Sequence, residues 1–130
     1  MGNYWTFKVF VSARGRNVIA EWLGSLPIDA RYRIRLHFDF MMGLKDWSRP
    51  YAAKLKGKKY DPIWEIRFTW NKFQYRPLGC FGPDDGDFTI LIGAIEKSKG
   101  VFKPRNAPET AKERCLLIRE DRRYVNDYKK

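Results

Sequence analysis

One histidine, two cysteines and no apolar run of bilayer length are what this chain of 130 residues has least of. With His37 alone, chemistry that needs a histidine pair, or a metal held by several histidines, is excluded. Cys80 and Cys115 are far apart and form no CxxC pair, so neither a disulfide framework nor a zinc site has support. Both are expected to be reduced thiols, Cys115 in a helix core. The longest apolar stretch runs from Ile90 to Ile95 and suits a buried strand, whereas a spanning helix needs about 20 residues. Met1 to Ser12 lacks the basic segment, apolar segment and small-residue cleavage site of a secretory signal, which points to a soluble, cytoplasmic chain without membrane contact. There is no P-loop, GxGxxG or GxSxG motif, which argues against nucleotide-dependent and serine-hydrolase chemistry. Asp84, Asp85 and Asp87 flank Gly86 without calcium-loop spacing and read as an ordinary turn, so no metal is expected there.

Acidic residues are also short in number. Fifteen Asp and Glu face 26 Lys and Arg, a formal net charge of +11, which makes a polyanion the first expected partner. The first sixty residues carry twelve basic and four acidic side chains, and the last thirty carry nine and five. The stretch between is nearly neutral and the most strand-like. What the chain has in quantity is apolar and aromatic side chains, 44% and 16%, enough for a single folded domain over residues 1–130 and too many for disorder.

Trp5 to Val11 alternates as a first strand, and Gly15 lies in the turn that follows. Asn17 is placed to cap a short helix whose Val18, Ile19, Trp22, Leu23 and Leu26 recur at helical spacing up to Pro27. Arg31 to Phe40 alternates polar and apolar with period two, a strand pattern. Pro27 in a first-turn position, an i,i+4 Arg35 and Asp39 spacing, an unbroken chain and an i+4 row at 28, 32, 36, 40 and 44 favour a helix instead. Trp47 to Tyr60 reads as a loop. Ile63 to Trp70 is the clearest strand, Phe73 to Phe81 a strand that must bulge or lie at an edge near Pro77 and Gly79, and Asp87 to Ile95 a strand buried on both faces. Glu96 to Ala107 reads as a mobile basic loop. Pro108 opens a last helix with Ala111, Cys115, Ile118 and Val125 on one face, and Arg119 to Lys130 is expected to fray or to fold only against a partner. The expected class is α+β, in the order β-α-α-β-β-β-α.

Two sets of cations stand out. Lys54, Lys56, Lys58 and Lys59 surround Gly57 and, with Lys103 and Arg105, suit phosphate contact; the plain alternative is a solvated loop. Arg67 and Arg76 lie on neighbouring expected strands, and Lys97 and Lys99 just beyond the third. Polar-face cations can simply snorkel into solvent. Converging on one concave surface, they would instead bind a phosphodiester and stabilise its transition-state charge without a metal.

The run Trp64-Glu65-Ile66-Arg67, then Tyr75-Arg76, then Ile95-Glu96-Lys97-Ser98-Lys99 before a proline-led helix resembles the RelE/ParE toxin superfamily. Tyr51 to Gly57 is similar to its HigB-like, phage-derived branch. The resemblance spans roughly residues 5 to 128. It implies a RelE-like domain, a mainly antiparallel sheet packed by two N-terminal helices with a C-terminal helix, and a cognate helix-turn-helix antitoxin. It also implies ribosome-dependent mRNA cleavage by attack of a 2′-OH, with no cofactor. In that reading Arg67 and Arg76 orient the phosphate, Lys97 or Lys99 sits near the leaving oxygen, and the remaining basic residues grip RNA. Glu65 is a possible general base, with an ion pair to Arg67 the preferred role. Glu96 stands where the branch often has a lysine, no tyrosine stands at the place after the last strand where some members have one, Tyr124 and Tyr128 being the nearest C-terminal candidates, and Pro77 is unexpected inside a sheet. The alternative is a protein of the same fold that inhibits a topoisomerase or binds nucleic acid without cutting.

Overall fold

The structure, a computed structural model, describes residues 2–129. It is α+β with a mostly antiparallel sheet arrangement, as expected. Strands β1 (Thr6–Phe10), β2 (Ala52–Lys54), β3 (Trp64–Ile66), β6 (Leu78–Phe81), β7 (Asp87–Ile92) and β10 (Val125–Asp127) form one sheet in the order β10-β1-β7-β6-β3-β2. A second sheet holds β4 (Phe68–Trp70), β5 (Phe73–Tyr75), β8 (Ile95–Ser98) and β9 (Val101–Lys103) in the order β4-β5-β8-β9. Only the β1–β7 pairing is parallel among those described, because two helices intervene between β1 and the rest of the sheet.

The two sheets are joined at a corner. The three long strands read from the sequence each bend there: β3 passes to β4 at Arg67, β5 to β6 at Arg76-Pro77, and β7 to β8 at Gly93-Ala94. Hydrogen bonding continues across the bend, from Ile66 N to the Pro77 carbonyl (2.9 Å) and from Arg76 N to the Ala94 carbonyl (2.8 Å). Pro77, which has no N–H to give, therefore sits where a regular ladder is already interrupted, with a register shift at Leu78/Gly79 beside it.

Helices cover both faces of the larger sheet. On one side α1 (Val18–Ser25) and α2 (Ile28–Met42) bury Ile19, Leu23, Ile34, Phe38 and Met41 against Phe7, Val9, Phe88 and Ile90. On the other, α3 (Ala107–Glu120) buries Ala111, Cys115 and Ile118 against Phe10, Leu78, Cys80 and Leu91. Successive β7 residues thus serve opposite cores, which is why that strand reads as continuously apolar. Asn17 caps α1 as expected, its side chain accepting from Ala20 N at 2.9 Å. Cys80 and Cys115 meet in the second core with their Sγ atoms 2.8 Å apart.

Four expectations are corrected. Residues 52–54, read as loop, form β2, an edge partner of β3 in register Ala53↔Glu65. Residues 96–98 and 101–103, read as part of a mobile loop, form most of β8 and all of β9, paired with each other. The charged tail, read as fraying, pairs with the sheet at residues 125–127: Val125, expected on the helix, lies in β10, which covers the otherwise open edge of β1, with Lys8 Nζ 2.6 Å from Asp127 Oδ1. In α2 the helix is as expected but the 28/32/36/40 row used to argue for it faces outward. Ala30, Ile34, Phe38 and Met42 make the inner row. Short strands of three residues carry too few periods to announce themselves in the sequence.

Gly93 lets α1 approach the corner, since a Cβ there would overlap the Trp22 indole. Gly93→Ala is expected to cost about 1–3 kcal/mol of stability. A denaturant titration checks this, and an unchanged midpoint would show that Trp22 does not rest on the corner.

Candidate functional site

The corner places the two arginines of interest. Alternate residues of a strand share a face, so Glu65 and Arg67 project together, and Glu65 Oε2 is ion-paired with Arg67 Nη1. Glu65 is buried and Arg67 is half-buried at the rim. Arg76 is only 3% exposed. Its Nε donates to Glu96 Oε1 (3.0 Å), Nη1 to the Tyr75 carbonyl (2.9 Å) and Nη2 to Gln74 Oε1 (2.9 Å). Burial first, then the nearby Arg67 cation, lowers the Arg76 pKa from the ordinary arginine value, with Glu96 acting against both. The other oxygen of Glu96 accepts from Gly100 N at 2.9 Å, so Glu96 ties Arg76 to the turn that carries Lys99.

A hollow of about 330 Å³ opens in front of Arg67. Its cations are Arg49, Lys54, Lys56, Arg67, Lys99 and Arg105, set against three carboxylates, Glu65, Glu96 and Glu109. Tyr60, Leu55, Phe102 and Pro108 supply apolar wall. A second hollow of about 460 Å³ shares Arg49 and Arg67 and is closed by Tyr51, Thr69, Gln74 and Arg76. The two are adjacent halves of one basic surface along the corner.

Of the cations expected to bear chemistry, Arg67 and Lys99 line the first hollow and Arg76 lies in the wall of the second, whereas Lys97 is exposed on β8 and lines neither. Of those expected to grip RNA, Lys54, Lys56 and Arg105 line the first hollow. Lys58 and Lys59 sit on the short 3₁₀ turn beyond it, Lys59 Nζ lying 5.0 Å from the Tyr60 ring centroid. Lys103 points outward on β9, where strand alternation turns Phe102 inward. The preferred ion-pair role for Glu65 is what the geometry shows. Asp84 is bonded to Arg122 through both oxygens, and among the described residues no three His, Cys, Asp or Glu side chains gather as a metal-binding set.

Besides the apolar wall, three polar lining residues of the first hollow were not anticipated from the sequence. Tyr60 adjoins the Lys58-Lys59 pair, an aromatic interleaved with cations that was there to be read. Its Oη donates to Glu109 Oε2 at 2.5 Å, which chiefly accounts for the Glu109 carboxyl being held below its ordinary value. Glu109 itself was read as a helix N-terminal acid, and it comes from α3 across 49 residues of chain. Arg49, beside Pro50, carried no pattern at all.

An excess of cations over carboxylates around a groove that includes a tyrosine hydroxyl has the charge and the hydrogen-bond donors that an anion such as a phosphodiester requires. His37, on α2, is partly buried. It packs against the rings of Phe68 (5.5 Å), Phe40 (6.1 Å) and Tyr51 (6.2 Å), backing the second hollow. Comparison with protein-family models, characterised proteins and solved structures finds no match to this chain.

Burial lowers the His37 pKa, against the raising effect of the Tyr51 and Arg67 backbones. The unfolded ring titrates near 6.5, so below about that pH the unfolded state binds more protons and stability falls, while above it the contribution is complete. His37→Phe is therefore expected to lose less stability than the parent between about pH 7.5 and about pH 5. Denaturation midpoints at the two pH values check this, and parallel losses would show that His37 does not carry the acid sensitivity.

Proposed function

We propose that this protein is the toxin of a type II toxin-antitoxin system, a ribosome-dependent endoribonuclease of RelE-like fold that cleaves mRNA without a metal ion, in the cytoplasm. The observation that carries the reading is the corner hollow, which gathers Arg67, Lys99, Lys54, Lys56 and Arg105 from separate parts of the chain around one space. The RelE/ParE resemblance supplies the reaction and the partners, a helix-turn-helix antitoxin, the ribosome and mRNA.

In the reaction a ribose 2′-oxygen bonds to the adjacent phosphorus and the bond from phosphorus to the 5′-oxygen breaks, leaving a 2′,3′-cyclic phosphate and a 5′-hydroxyl. The 2′ proton needs an acceptor and the 5′-oxygen a donor. Glu65 and Glu96 are held by arginines, which leaves Glu109, an anion at neutral pH bonded to the Tyr60 hydroxyl through Oε2 and without an arginine partner, as the carboxylate to accept the proton. Lys99 is the donor at the leaving oxygen. Arg67 stabilises the charge that develops on the phosphoryl oxygens. Arg76, buried behind it, orients Glu96 and the Gly100 turn rather than touching the phosphate.

A second reading, binding without cutting, is favoured by the same pairings: Arg67 is engaged by Glu65 and Arg76 by Glu96, so neither is a bare cation. The readings part on product chemistry. Expression without an antitoxin is expected to arrest growth, with ribosome-bound mRNA cut to 5′-hydroxyl ends. Arg67→Ala and Lys99→Ala should each lower the cleavage rate by about 10²–10³-fold, the scale of removing one transition-state donor. Sequencing of RNA ends and single-turnover rates check this. Arrest without cut mRNA supports the second reading, and 5′-phosphate ends would mean that water is the nucleophile.

A further inference from the structure

Helix α2 is apolar on two opposite sides. At 100° per residue, a period-two apolar pattern splits into two rows about half a turn apart, each running at i+4. The row at Ala30, Ile34, Phe38 and Met42 fills the core. The other leaves Ile28 76%, Tyr32 64%, Leu36 47% and Phe40 44% exposed. A helix lying on a core ordinarily turns a polar face to water, and one apolar all round is ordinarily buried. This ridge extends about 18 Å along the helix at 1.5 Å per residue. Tyr51, itself 41% exposed, lengthens it by packing edge-on to Phe40 at 4.9 Å.

Cations border the ridge on both sides, each pinned by the fold. The Arg33 guanidinium lies over the Trp70 ring at 3.9 Å. On the opposite flank Arg35 Nη1 donates to Tyr128 Oη and to the Lys129 carbonyl, both at 3.1 Å, and Arg31 donates to the carbonyls that end α1. Asp29 and Asp39 are the acids of the helix.

We propose that this ridge docks an acidic amphipathic helix of another polypeptide, whose apolar stripe covers Tyr32, Leu36 and Phe40 and whose carboxylates meet Arg33 and Arg35. Charge selects the occupant. Antiparallel pairing with a second copy that covers one row with the other sets Ile28 against Phe40 and Tyr32 against Leu36. It then brings each flank of the helix against the same flank of its mate, Arg33 beside Arg33 and Arg35 beside Arg35, like on like, between chains of net charge +11. An acidic helix meets the same ridge with opposite sign. Tyr32, Leu36 and Phe40 line neither hollow, and Tyr51 alone borders the second, so this inference stands or falls apart from the nuclease reading.

The probe is a synthetic helical peptide with leucines at i, i+4, i+7 and i+11 flanked by glutamates, titrated against the full chain by fluorescence anisotropy. Saturable binding is expected, weakened by added salt, with Leu36→Glu at least about tenfold weaker, the scale of losing one buried leucine. Leu36 is exposed, so the variant should keep the parental circular dichroism and denaturation midpoint. Tyr32→Glu serves as a second variant. Equal binding of a lysine-flanked peptide, or of both variants, would overturn the proposal. So would absence of binding at about millimolar peptide, or a dimer in sedimentation that Leu36→Glu abolishes, which would make a second copy the occupant.

Discussion

The bend that carries three neighbouring strands from one sheet into the other is the constraint on which this structure depends. A strand that bends must do so where its ladder tolerates interruption, and the residues found there are those that tolerate it. Pro77 has no donor to lose, Gly93 leaves room for the Trp22 indole, and Arg67 has its side chain held by Glu65. The same bend turns the polar faces of β3 and β5 toward the turn after β8, so that cations distant in sequence line one hollow. A flat sheet would have left them on one open surface.

Burial and pairing then sort those cations into different roles. A buried arginine must be hydrogen-bonded, and Arg76 is, through Glu96, Gln74 and the Tyr75 carbonyl. Glu96, which looks from the sequence like a defect in a basic site, is the group that makes the burial of Arg76 tolerable and that also holds the Lys99 turn. Arg67 keeps part of its surface toward the hollow. The excess charge of the chain is thus divided between cations consumed by the fold and cations that line the hollow.

Legibility differed among elements for physical reasons. The β7 segment was readable because burial on both faces requires apolar side chains throughout. α1 was readable because one apolar face at helical spacing and a capping asparagine coincide. α2 was readable as a helix but not as to its inner face, since a period-two pattern offers two equivalent rows and only the docking of the sheet chooses between them. The three-residue strands at 52–54, 101–103 and 125–127 were illegible because their stability comes from an edge supplied by a distant segment. In the site, Arg67 and Lys99 were visible as cations on or beside strands. Tyr60 and Glu109 were not visible as a pair, being 49 residues apart.

By itself the sequence determined the α+β class, the basic excess and the three main strand segments, because composition and short-range periodicity are local properties. Only the tertiary structure decided which cations converge, that Arg76 is buried in the wall of the second hollow while Arg67 and Lys99 line the first, and which apolar row of α2 remains exposed. Those outcomes depend on the corner and on helix docking, both set by contacts between residues that no local pattern connects.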